Sequence, residues 1–528
     1  MRKYEILKDP QYSITLPDGR VLHRIRALRD IDNAGRHIKA GDLGGYVETE
    51  DNLSHDGLCW VSGNAQVSGH ARISDDAWVG EDAHVSDNAQ VSGNAIILGR
   101  ASIFGNAHVY GRAQVSGNVR IYGDARIFGN VRVFDHAKIY GKAQISGRAR
   151  VSGNSKIFGC AKISGHAKIY GDAKVFEDAH VCSYALVFGD TEVRGQAKIS
   201  GHAQVYEWAQ IEDHAKVSGY AKIRGNAVIS DYAKVFDNAI VSGCVHISGH
   251  AQVYGEAWVD EDAHVYGYAK IYGRAKVSGD ARVLDHAMVF DDAEVRGHAF
   301  ISDYAKIYGY AEIFDDARVS GNARINGYAK IYGDAHVYGY AYICDHAQVY
   351  GDARIFGYAK VSGNVRIYDY AKIFDHVKIY GEAKIHGHAS VSGYAQIFEN
   401  AEISGNAKIL DDTRISGRAK VYGDAVVSDR ASVSGEAQVY DDAHVSGDAE
   451  VYDNAQIFEF AEVTGHAWVY EWARIRGYAR ISDFAQVYGP STLVCDHVKI
   501  LGHASFDGQR TGKEVLMGYT VLGLDEVA

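Results

Sequence analysis

Proline is almost missing from this chain of 528 residues: only Pro10, Pro17 and Pro490 occur. All three fall at or beyond the ends of one long regular stretch, as expected where a proline would remove a donor from a strand ladder. Apolar runs of membrane-spanning length are also absent. The start, Met1-Arg2-Lys3-Tyr4-Glu5, lacks the shape of a secretory signal, so a cytoplasmic protein is expected. Cysteine is scarce and scattered, at Cys59, Cys160, Cys182, Cys244, Cys344 and Cys495. No pair stands at disulfide reach or at zinc-finger spacing, and reduced thiols with no bound metal follow. A net charge of −12 argues against general nucleic-acid binding. Phosphate-loop, dinucleotide and nucleophile-elbow patterns are lacking. Ser, His and Asp recur so evenly that no triad can be singled out.

What is present is repetition. From Val61 to Thr492 the chain reads as seventy-two consecutive hexads without an inserted loop. Position one is Val or Ile throughout. Position five is Ala except at Val119, Val131, Ser155, Thr191, Val245, Val365, Val377, Thr413 and Ser491. Positions five, six, one and two alternate inward and outward as in a half-buried strand. Positions three and four, commonly Gly-Asn, Gly-Asp, Gly-His, Asp-Asp or Gly-Tyr, supply residues that tolerate tight or left-handed corners. Four strand residues and a two-residue corner make one side of a prism, and three sides make an eighteen-residue coil. Helix is excluded, because the apolar spacing is four then two.

This pattern resembles the hexapeptide-repeat left-handed parallel β-helix superfamily, over about 460 residues. The resemblance implies an all-β, left-handed triangular solenoid of about 25 coils, forming a rod on the order of 120 Å long. The segment Lys39-Ala40-Gly41-Asp42-Leu43-Gly44-Gly45-Tyr46-Val47, with Asn52-Leu53-Ser54 and Cys59-Trp60, is similar to the entry of the bacterial YdcK-like proteins, often labelled acyltransferases on fold alone. The expected organisation is an N-terminal cap over 1–42, a solenoid over 43–505 and a C-terminal cap or tail over 506–528. The cap carries a hairpin signal, Pro17-Asp18-Gly19 between Tyr12–Leu16 and Val21–Ile25. Near the far end the frame slips by one, with Leu493 read as the extra residue and Pro490 marking a bulge or wider corner.

Hexapeptide acyltransferases bind a coenzyme A or carrier-protein thioester between prisms, with a histidine as base. Carry-over of that machinery fails, since no loop is extruded to close over a substrate. The 25 histidines mostly sit at positions four and six, where they read as solvated residues. His246 and His264 fall on adjacent coils, and His376, His386 and His388 cluster, so each could in principle bind metal or move a proton; the reading as solvated corner and face residues is favoured. No catalytic or metal residue and no cofactor is assigned.

Residues eighteen apart should stand above one another, so position two can be read as columns. One runs Phe104, Tyr122, Tyr140, Phe158, Phe176, with Arg120, Lys138, Lys156 and Lys174 two residues upstream. A second is Phe236, Tyr254, Tyr272, Phe290, Tyr308, and a third is Phe314, Tyr332, Tyr350, Tyr368, near Lys330 and Arg366. Each should lie on a different face. Such a strip is either a docking face for another copy, another protein or a polysaccharide, or ring stacking that stiffens the face. The expected function is a non-enzymatic rod-like scaffold or interaction protein. The alternative is an acyltransferase; a nucleic-acid mimic and an ice binder fit less well.

Overall fold

A computed structural model describes residues 2–33, 35–517 and 521–522. The chain divides into two compact units, Met1–Tyr266 and Gly267–Ala528. In each, two-residue strands at positions six and one stack in parallel on three faces. In the first unit Gln66–Val67 pairs with His84–Val85, and in the second Lys306–Ile307 pairs with Arg324–Ile325. Both registers advance by eighteen residues per coil, as the repeat requires. We name the faces of the first unit by their first regular strands: the Trp60, Gln66 and Arg72 faces.

The core is a column of position-one Val and Ile and position-five Ala, almost all fully buried. The inward hydroxyls are satisfied locally: Ser155, Thr191 and Thr413 donate to the carbonyls of Ser152, Phe188 and Leu410 at 2.6–3.0 Å. Paired strands are shorter than the expected four residues because the position-five amide turns back on its own coil. Ala65 N–H donates to Ser62 O at 3.2 Å, and Ala305 N–H to Ser302 O at 3.2 Å. Bonding between coils nonetheless continues around the corner. Ser62, Asn64 and Gln66 donate to Val79, Glu81 and Ala83 of the next coil at 2.8–2.9 Å.

That scheme leaves the position-three amide without a carbonyl, and carboxylates supply the acceptor. Asp75 Oδ2 accepts from Gly93 N–H at 2.8 Å, Asp231 from Gly249 at 2.9 Å and Asp303 from Gly321 at 2.9 Å. These acidic residues hold φ between 53° and 64°, in the left-handed region. Position three is Asp or Glu in twenty-five hexads, Ser183 in one and Gly in the rest. The glycine alternative is equally specific. A Cβ on Gly147 (φ +72°) would meet Gly165 N and O at 2.9 Å.

The N-terminal segment forms an antiparallel sheet of β1 (Tyr4–Leu7), β2 (Ser13–Thr15) and β3 (Val21–Ala27), and β4 (Ile31–Asn33) pairs with β5 (Arg36–Ile38). β6 (Leu43–Val47) lies antiparallel to β3 on one side and parallel to Gln66–Val67 on the other. The antiparallel cap therefore occupies the edge that the first coil would otherwise expose. Lys3 is fully buried, and its Nζ donates to Asp56 O at 3.3 Å and Cys59 Sγ at 3.0 Å.

At the other end the slip is real but sits in the corner. Ser491, read from sequence as an inward residue, is exposed, and Thr492 takes the inward place at 1% exposure. Gly489, at φ +112°, opens the wider turn. Thr492 Oγ1 bonds Tyr488 O, Asp507 Oδ1 and Gly508 N–H, which fixes the register of Leu493 over Arg474. Beyond Phe506, Gln509–Arg510 and Val515–Met517 add parallel strands to the stack at sixteen-residue spacing. Residues 518–520 and 523–528 of the expected tail lie outside the described residues.

Candidate functional site

The position-two residue follows the two-residue strand directly and points outward, so its ring lands on the ring one coil away. From Phe104 through Tyr122, Tyr140 and Phe158 to Phe176, centroids are 4.8–4.9 Å apart and planes lie within 5°. All five rings are half-buried. Burial, with Tyr122 adding a smaller effect, pushes the Tyr140 phenol above its ordinary value. Because each ring covers its neighbour's face, solvent meets edges and hydroxyls along the strip.

The basic companions form the adjoining column on the same Gln66 face. Arg120, Lys138, Lys156 and Lys174 are successive cross-strand partners, and the run ends at Glu192. Lys174 Nζ reaches Glu192 Oε1 at 2.7 Å, a bond that raises the lysine pKa. The Arg120 guanidinium lies 5.6 Å from the Phe104 ring centroid and 5.9 Å from that of Tyr122, within cation–π range.

The other expected columns are stacked as well. Phe236–Tyr254 lies in the first unit, and Tyr272–Phe290–Tyr308 in the second, with centroids 4.8–4.9 Å apart. Phe314, Tyr332, Tyr350 and Tyr368 form a continuous stack that extends to His386 at 4.7 Å. Arg366 and Lys384, and farther along Glu382 and Glu402, line a groove beside this stack.

Sequence reasoning missed a second set of ladders, at position four of the corners. His166, Tyr184, His202 and Tyr220 stack at 4.7–4.9 Å, as do Tyr340, Tyr358, His376 and Tyr394 at 4.8–4.9 Å. These rings stand farther into solvent, with Tyr184 52% and Tyr220 61% exposed. The signal was the recurrence of Tyr and His every eighteen residues at position four.

The histidines do not converge on a centre. His246 stacks on His264 at 5.1 Å. The sequence cluster, however, is dispersed into separate columns: His376 on Tyr358, His386 on Tyr368 and His388 on Tyr370. Among the described residues no group of three His, Cys, Asp or Glu side chains could hold a metal. The six cysteines are free thiols, and burial pushes Cys344 up to about 11. No helix of the described residues is long and apolar enough to cross a membrane.

Fold and surface together define a parallel β-solenoid with eighteen-residue coils, a thin aliphatic core and stacked aromatic ladders. A family model described as the YdcK beta solenoid repeat matches five stretches, residues 65–81, 113–126, 143–156, 317–330 and 347–362. The chain is similar to that repeat there. No curated protein matches it.

Proposed function

We propose that this chain is a non-enzymatic scaffold that associates through the Phe104–Phe176 strip with a protein surface, most simply a second copy of itself. The observation that carries the reading is the unbroken five-ring stack bordered by the Arg120–Lys174 column. Ring edges and phenol hydroxyls offer apolar area and hydrogen bonds, and the cations attract an acidic partner, including the Asp-rich corners of another copy. A saccharide stacks on ring faces, and here the faces are already taken by neighbouring rings. The geometry therefore favours protein over polysaccharide at this strip. The acyltransferase alternative draws on the coil alone.

The test is sedimentation of the wild type, Tyr140→Ser/Phe158→Ser and Lys138→Glu/Lys156→Glu at low and high salt. Both pairs of sites point outward, so the solenoid should stay folded. The serine pair should weaken association at either salt. The glutamate pair should weaken it more at low salt than at high, because the attraction is screened. A wild type that stays monomeric at every concentration and retains no partner on the strip would leave the columns a purely structural role.

A further inference from the structure

A different face of the first unit carries a feature that the aromatic strip does not explain. Between a corner and the Trp60 face runs a groove of about 770 Å³ lined by Arg112, Arg132, Arg148, Arg150 and Lys168. Arg132, Arg150 and Lys168 are successive cross-strand partners, while Arg112 and Arg148 stand two coils apart in the corner column. All five are exposed. No Asp or Glu lines the groove. The ion pairs of the Gln66 face, Lys174 with Glu192 and Arg194 with Glu212, use other cations. None of the five is paired among the described residues.

The local sequence explains why the charges are left uncompensated. Position three of this corner is Asp75 at one end and Asp237 at the other, yet from Gly93 to Gly219 it holds seven glycines and Ser183. The carboxylates that populate other corners are missing along the length of the groove. In a chain of net charge −12, five adjoining unpaired cations form a local positive trough.

We infer that this groove binds a linear, carboxylate-bearing polysaccharide, a polyuronate, with sugar carboxylates on the arginine and lysine column. Three observations select this ligand. Four of the five cations are arginines, whose planar fork takes a carboxylate through two hydrogen bonds. Arg132, Arg150 and Lys168 recur once per coil, at about 4.8 Å, and Arg112 and Arg148 once in two coils. In an extended two-fold uronan the carboxylates on one side recur every second sugar, close to the two-coil step of about 9.6 Å that separates Arg132 from Lys168 and Arg112 from Arg148, whereas alternate side chains of an extended acidic peptide recur at about 6.6 Å and fall out of step. Finally, Asn130, His166 and Tyr184 are interleaved with the cations. They offer hydrogen bonds to ring hydroxyls, which a bare phosphate polymer would not use. The groove lies on another face from the Phe104 strip, so this binding stands apart from the association proposed there.

The probes are oligogalacturonate, its methyl ester and oligo-deoxythymidine, titrated calorimetrically into the full chain at low and moderate salt. Oligogalacturonate should bind the wild type, and Arg132→Glu/Arg150→Glu should weaken it by roughly tenfold or more, as expected for lost charge-assisted contacts. Lys198→Glu/Lys216→Glu, on the Arg72 face, changes the net charge equally and should leave the affinity within about twofold. All four of these residues are exposed, and unchanged circular dichroism serves as the fold control. The inference fails if oligogalacturonate does not bind, or if the methyl ester binds as well. It fails also if the two double variants behave alike. Oligo-deoxythymidine binding as tightly as the uronate would make the groove a general polyanion trough and overturn the assignment. The sedimentation outcome for Tyr140 and Phe158 is read separately, so either proposal can fall alone.

Discussion

Asp231 tests whether the position-three carboxylate is structural. Its Oδ2 accepts from Gly249 N–H at 2.9 Å, its own N–H donates to Asp213 Oδ2 at 3.3 Å, and its φ is 53°. Replacing it by Ala removes an acceptor at an exposed site, which costs about 1 kcal/mol. The methyl side chain must also hold the left-handed conformation without the local bonding that helps Asp tolerate it, about 1 kcal/mol more. Asp231→Gly loses the same bond but relieves the backbone, offset by a flexibility cost of about 0.5–1 kcal/mol in the unfolded chain. Asp231→Asn keeps an oxygen acceptor and forfeits only the charge assistance. The expected order of local stability is Asp, then Asn, then Gly, with Ala lowest. Ala should lose about 2 kcal/mol in total, roughly thirtyfold in local opening. A global melt would blur this, because a solenoid's stability is a sum of neighbour terms. Hydrogen exchange over the Gly249 amide and the 245–251 segment reads it directly. An Ala variant as protected as the wild type, or better protected than Gly, would refute the reasoning.

Two further outcomes follow from the core and from a partly buried histidine. Ala257→Phe places a ring where the side chain is fully buried and should destabilise by about 1–3 kcal/mol or more; unchanged denaturation would disprove the register. His180 is held below its ordinary value by burial, with Lys198 and Lys162 adding to it. The folded form therefore resists protonation and, as pH falls below about 6.5, the unfolded chain gains protons first and stability drops. His180→Gln should narrow the difference in urea stability between about one unit above and one unit below that value, to which His84 and His336, lowered by burial in the same way, also contribute; an unaltered difference would show that His180 is not responsible.

The core was legible because it depends on one local rule. Each Val or Ile at position one and each Ala at position five is inward whatever the coil above contains, and even Ser155, Thr191 and Thr413 obey it by bonding their own coil. The aromatic strip was legible for a related reason: Phe104 to Phe176 needs only the eighteen-residue period. At Pro490 the rule failed by one residue. The hexad frame continues through Ser491 in sequence, and only the bonds of Thr492 to Tyr488, Asp507 and Gly508 decide which side chain turns inward. The apparent grouping of His376, His386 and His388 misled for the opposite reason, since closeness along the chain places them in three different columns.

The position-three carboxylate and the basic groove were harder to see because each is a relation between coils. Asp75 matters through Gly93, a residue eighteen positions on, whose amide the parallel ladder leaves unbonded. Once that acceptor role is recognised, a glycine at position three has two consequences. It leaves the next coil's corner amide without a carboxylate, and it removes a negative charge from beside the position-six column. Where Gly and Asp alternate, as at Gly219, Asp237 and Gly255, the two effects average out along the corner. From Gly93 to Gly219 they do not average, and Arg132, Arg150 and Lys168 stand in file with nothing opposite them. Corner stability and surface charge are thus set by the same residue position. A run of glycines gives up the first and, in doing so, leaves the uncompensated positive charge that an acidic polymer could use.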